Sequence, residues 1–97
     1  MNDVWVCVAG DRKIAIHCEQ NALTWHEVRS YAASRLGVDP FSSDFSTHRN
    51  PVDGLPSGVE IVEVRWVGDD YAHGGAPGRR RMQCRSPGDP VDQWMDV

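Results

Sequence analysis

One helical segment, capped at both ends and flanked by strand-like runs, constrains this 97-residue chain more than any other feature. Thr24-Trp25-His26-Glu27 is a capping box, in which the threonine hydroxyl accepts from the amide three residues on and the glutamate reaches back to the threonine amide. Trp25, Val28, Ala32 and Leu36 recur at three- and four-residue spacing and form one apolar stripe. Arg35 suits the negative end of the helix dipole, and Gly37 supplies a residue free to take positive φ. The spacing predicts one helix from Trp25 to Leu36. A lone helix with a single apolar stripe buries it against a sheet, which points to an α+β domain.

The rest of the chain supplies strands. Val4 to Ala9 is rich in β-branched and aromatic residues and ends at Gly10-Asp11; Lys13 to Glu19 follows, with Ile14, Ile16 and Cys18 on one face. The two read as a hairpin across a Gly-Asp-Arg turn. Residues 38–58 are punctuated by Asp39-Pro40, Asn50-Pro51, Asp53-Gly54, Pro56 and Gly58, leaving room for short strands near Phe45–Thr47 and at Val52. Val59 to Val67 predicts a long central strand, with Val62, Val64 and Trp66 on one side and Ile61, Glu63 and Arg65 on the other. Beyond Gly68, the glycines, prolines and mixed charges of residues 76–97 show no periodicity and predict a flexible C-terminal tail. Within it, Val91 to Val97, carrying Trp94 and Met95, is a candidate short motif that orders on binding.

A chain of this size holds one small domain and no two-domain cleft. With 40% hydrophobic and 25% charged residues it is an ordinary globular chain, and its longest apolar run is far short of a membrane span. No secretory signal opens it, so no membrane partner is expected. Residues 1–75 carry a net charge of −5 and residues 76–97 a net charge of +1; an acidic body disfavours nucleic acid, which needs a basic face. Cys7, Cys18 and Cys84 form no Cys-x-x-Cys pair and four histidines are scattered singly, so neither a metal nor a cofactor is expected and the setting is read as the reducing cytoplasm. No Ser-His-Asp order, carboxylate pair or phosphate loop points to catalysis. The expectation is a monomer that is not an enzyme and works through protein contacts.

The order hairpin, capped helix, short strands, long last strand resembles the ubiquitin-like superfamily over residues 3–75. Thr24-Trp25-x-x-Val28-x-x-x-Ala32-x-x-x-x-Gly37 matches the register of ubiquitin's helix, and Gly74-Gly75 stands where that family has its diglycine. Asp53-Gly54-Leu55-Pro56-Ser57-Gly58-Val59-Glu60-Ile61 is similar to the segment that leads into the last strand of the thiamine- and molybdopterin-pathway sulfur carriers. Those carriers end at the diglycine, whereas twenty-two residues follow it here.

The resemblance implies a β-grasp of four or five mixed strands on one helix, residues 1–75, with the last strand parallel to the first. It implies a modifier precursor cut between Gly75 and Ala76, with an activating enzyme, a processing protease or a ubiquitin-like-domain receptor as partner. Glycine suits such a tail because it lacks the Cβ that would clash in an activating channel. The alternatives are a non-conjugated interaction domain and a sulfur-carrier-like protein. In either modifier or module, recognition is expected on the sheet face opposite the helix, through Ala15 and His17 with Val62, Val64 and Trp66, or with the alternates Glu63 and Arg65 if the register slips by one.

Overall fold

The computed structural model describes residues 2–67, 81–88 and 93–97. They form a mixed α+β domain in the order β1 (Asn2–Ala9), β2 (Arg12–Glu19), α1 (Trp25–Leu36), β3 (Phe45–Arg49), β4 (Glu60–Val67), β5 (Arg81–Arg85) and β6 (Met95–Asp96). The six strands make one sheet, ordered β3-β1-β2-β4-β5-β6. Among the described residues no helix is long and apolar enough to cross a membrane.

The hairpin and the helix form as the residues dictate. Ala9 pairs with Arg12 across a two-residue turn in which Gly10 has φ +65°, the sign a primed turn needs. At α1 the Thr24 hydroxyl accepts from the Glu27 amide at 3.2 Å and the Glu27 carboxylate accepts from the Thr24 amide at 2.8 Å. Gly37 closes the helix in the left-handed region, φ +70°, and the Arg12 guanidinium donates to the last-turn carbonyl of Leu36 at 2.5 Å. The buried stripe is Val28, Tyr31, Ala32, Ala33 and Leu36. Trp25, counted into that stripe from its spacing, is instead largely exposed and carries Arg29 over its ring.

Sheet order departs from the expected pattern. The first strand is not the parallel neighbour of β4. Its free edge is taken by antiparallel β3, from Trp5↔Arg49 to Ala9↔Phe45, and β4 pairs in parallel with β2 from Ile14↔Glu60 to His17↔Glu63. The sheet has six strands rather than four or five, and two of them fall within the segment read as a flexible tail: β5 runs antiparallel to β4 and β6 to β5. Val52, expected in a strand, lies in a fully exposed turn.

Since β3 lies antiparallel to β1 and β1 to β2, the strands β2, β3 and β4 all run the same way, and two crossovers join them. The first is α1. The second, residues 50–59, lies on the opposite face, where Lys13 Nζ donates to the Ser57 carbonyl and Val4, Pro51, Gly54 and Leu55 wall a shallow hollow. The sheet therefore has two covered zones. On the helix side Trp5, Cys7, Ile14, Ile16, Cys18, Val62 and Val64 meet α1 in the core. On the other side Val6 and Ala15, a cross-strand pair, are also buried.

One carboxylate ties the start of this sheet together. Asp3, 2% exposed, accepts from the Asn21 amide at 3.0 Å, from Arg49 Nη2 at 2.7 Å and from Asn50 Nδ2 at 3.2 Å. Asn21 (φ 61°) and Asn50 (φ 47°) are the described non-glycine residues with positive φ, so the carboxylate holds both left-handed turns. The Asn21 amide is the largest influence keeping the Asp3 carboxyl below the usual aspartate range, with the Asn50 and Arg49 side chains adding to it against the opposing effect of burial.

A carboxyl whose folded pKa is depressed stabilises the fold fully above its unfolded pKa, about 4, and loses that contribution as pH falls through the folded value. Asp3→Asn is therefore expected to lower the urea midpoint at pH 7, with the gap to wild type narrowing as pH falls below the ordinary aspartate range. Urea titrations followed by tryptophan fluorescence at pH 7, 5 and 3 check this; a gap that does not depend on pH would refute the charge-based account.

Candidate functional site

A helix is about 10 Å across, whereas neighbouring strands lie about 4.8 Å apart, so one helix cannot cover six strands. α1 packs over β1, β2 and β3. On the β4-β5-β6 side the sheet runs out from beneath it, leaving a groove of about 610 Å³ between α1 and the outer strands. Tyr31 of α1, Trp66 of β4, Met82 and Cys84 of β5, and Met95 and Val97 at β6 form its apolar walls. His26, Glu27, Ser30, Ser34 and Arg35 give a polar rim along the helix, where Arg35 pairs with Glu60 of β4.

Each wall residue is placed by strand alternation. Val62, Val64 and Trp66 share the helix face of β4, and Cys84 and Met82 stand opposite Val64 and Trp66 on β5. The Trp66 indole N–H donates to the Ala22 carbonyl at 2.6 Å, which anchors this large ring in the loop before α1. Tyr31 lies beside Cys84 with its hydroxyl buried; burial, then the neighbouring thiol, pushes the phenol well above its ordinary range. Burial likewise raises Cys7, and Cys18 is pushed up to about 11. All three cysteines are buried free thiols, kept protonated at neutral pH in the case of Cys7 and Cys18. Among the described residues no three His, Cys, Asp or Glu side chains converge to hold a metal ion.

The far face of the same outer strands is polar. Arg65 donates through Nε and Nη2 to Gln83 Oε1, at 3.1 and 2.9 Å, and Gln83 Nε2 donates to Asp96 Oδ1 at 3.0 Å. Arg85 pairs with Glu63 at 2.9 Å. Trp94 lies against both arginines, its ring centroid 4.1 Å from the Arg65 guanidinium carbon and 4.6 Å from that of Arg85. The indole also walls a second hollow, with His17, Glu63 and Arg65 around it; His17 Nε2 is buried there without a hydrogen-bond partner among the described residues.

The site residues expected from sequence divide accordingly. Ala15 points away from the helix as expected but is fully buried, on the face where Lys13 reaches the Ser57 carbonyl of the second crossover. His17 is half-buried on the far face. Val62 and Val64 are core residues on the helix side and cannot belong to a far-face docking surface, because Ile16↔Val62 puts the even positions of β2 and β4 on one face. Of the alternates, Glu63 and Arg65 do face outward. Trp66 is half-buried and joins the groove instead. Gly74, Gly75 and Ala76 lie outside the described residues.

Tyr31, Met82, Cys84 and Met95 were not singled out as site residues. The strict alternation Arg81-Met82-Gln83-Cys84-Arg85 was the available signal, a strand pattern overlooked among glycines and prolines. Compared with protein-family models, curated proteins and solved structures, the chain matches none.

Trp66→Phe keeps the apolar wall but leaves the Ala22 carbonyl without its donor. It is expected to cost about 1 kcal/mol of folding stability, measured by urea unfolding, while the amide spectrum stays dispersed.

Proposed function

We propose that this chain is a protein-docking module that works by non-covalent contact, with the groove between α1 and β4-β5-β6 as its docking surface. The observation that carries this reading is the groove itself: an apolar concavity walled by a tryptophan, two methionines and a tyrosine, rimmed by polar side chains. Methionine and aromatic side chains supply adaptable, high-area contacts, and a polar rim around an apolar centre is the usual anatomy of an interface. Burial of all three thiols in reduced form favours a reducing compartment such as the cytoplasm.

The ubiquitin-like β-grasp and the modifier that goes with it draw less support. β4 lies beside β2 rather than β1. A cut between Gly75 and Ala76 would also sever β5, which lines β4 from Glu63 to Val67, and would uncover Val64, now 3% exposed. Maturation that strips a paired strand from the sheet works against the stability of the product. A sulfur-carrier-like role needs the same cut and meets the same objection.

Two substitutions separate the readings. Ser34 is exposed on the helix rim of the groove, so Ser34→Arg puts a bulky charge at its mouth and leaves the core untouched. Ser34→Arg is expected to weaken co-purification of the native partner from the source cell by at least tenfold, with Gly75→Ala neutral. Loss of partner or adducts on Gly75→Ala, with Ser34→Arg neutral, would overturn the docking module in favour of the modifier; intact-mass measurement identifies the adducts.

A further inference from the structure

The last four residues describe, by their own packing, what the outer edge of β5 accepts. Gln83 pairs with Asp96 and Cys84 with Met95, and the Val97 amide donates to the Met82 carbonyl at 2.9 Å. Continued by one residue, this antiparallel register sets Trp94 opposite Arg85. The side chains alternate as a strand requires. Trp94 and Asp96 lie on the far face, Trp94 against Arg65 and Arg85, Asp96 on Gln83 and 3.6 Å from Arg81. Met95 and Val97 lie on the other face, in the groove.

Charge and backbone both favour exchange of this strand. The chain is acidic overall, yet Arg65, Arg81 and Arg85 gather on one face of β4 and β5, a local basic patch that suits a carboxylate-bearing segment. Arg85 Nη1 is buried without an acceptor among the described residues, so the patch keeps donor capacity in reserve. β6 covers only two residues of the five-residue β5, so a longer strand would pair with more of that edge. Two paired residues make a weak strand on their own, and the side-chain contacts of Trp94 and Asp96 provide most of what holds it.

We propose that the outer edge of β5 is a strand-addition site for an extended segment of a partner protein that presents an aromatic residue, an apolar residue and a carboxylate at successive positions, and that residues 94–97 hold this edge as a built-in competitor. The proposal rests on the docking reading above and names the partner's chemistry. Backbone pairing supplies affinity; the arginine pair selects the aromatic ring, Gln83 and Arg81 select the carboxylate, and the groove takes the apolar side chain between them. Because the chain's own strand occupies the edge, the free site is only fractionally populated, and the apparent affinity for a partner falls by that fraction.

The test uses a fluorescein-labelled peptide with the sequence of residues 92–97, titrated by anisotropy into the full chain. Trp94→Ala in the chain weakens the competitor without altering the receiving face. The peptide is expected to bind that variant at least tenfold more tightly than wild type, and Arg65→Ala in the same background is expected to weaken it at least tenfold. Replacing the peptide's own tryptophan or first following aspartate by alanine is expected to do the same, and these changes cannot unfold the receptor. Equal binding to wild type and Trp94→Ala, or binding indifferent to the peptide's tryptophan, would overturn the proposal. Self-association of the wild-type chain through exchanged 94–97 segments, seen by light scattering, would overturn it in favour of a second copy. If the peptide fails while Ser34→Arg still sheds the native partner, strand addition falls and groove docking stands; if the peptide binds and the native partner ignores Ser34→Arg, the converse holds.

Discussion

The Asp3 carboxylate ties the start of β1 to the turn after β2 and to the end of β3, the corner from which the sheet order follows. A nearly buried carboxylate needs its lone pairs satisfied, and here the acceptors are met by a backbone amide after β2 and by two side chains at the end of β3. Arg49 also donates to Asn21 Oδ1 at 2.7 Å, while Asn50 exchanges bonds with Val4, its side chain accepting from the Val4 amide and its own amide donating to the Val4 carbonyl. The network fixes β3 against the free edge of β1. Once that edge is filled, the long apolar β4 has only the edge of β2 left to pair with, and it does so in parallel. The hydrogen-bonded corner and the observed sheet order are thus mutually consistent.

The consequence is a sheet that grows in one direction only, away from the helix. β3 closes one side; on the other, β4, β5 and β6 follow in sequence, and among the described residues no second helix covers them. Two residues compensate in part: Tyr31 reaches from α1 toward Cys84, and Trp66 folds back to the loop before α1. What the described residues leave between α1 and the outer strands is the groove, which arises from the mismatch between one helix and six strands.

Much of the inner structure was legible in the sequence because it is encoded locally. The capping box, the terminating Gly37, the Gly10 turn and the alternation of Ile14, Ile16 and Cys18 are all read within a few residues of where they act. Strand order was not legible, because it depends on a contact between Asp3 and Arg49, forty-six residues apart. Neither was the burial of Ala15 on the face turned away from α1. The face assignment of Val62, Val64 and Trp66 failed for the reason period-two patterns often do: a one-residue shift of register exchanges the faces, and both sets contained apolar residues. The tail misled in a different way. Its glycines and prolines are real, and they obscured a five-residue strand whose own alternation was regular.

The charge distribution, split by position along the chain, takes on meaning once β5 is placed. Arg81 and Arg85 belong to the basic C-terminal portion and Arg65 to the acidic body, yet β4–β5 pairing brings the three to one face. Trp94 and Asp96, from the same C-terminal portion, then answer that face with an aromatic ring and a carboxylate. A segment that looks solvated in sequence is in fact complementary to a surface assembled from two distant parts of the chain. Side-chain complementarity over so few paired residues sets a register with little backbone pairing behind it, which is what the proposed exchange of this edge strand requires.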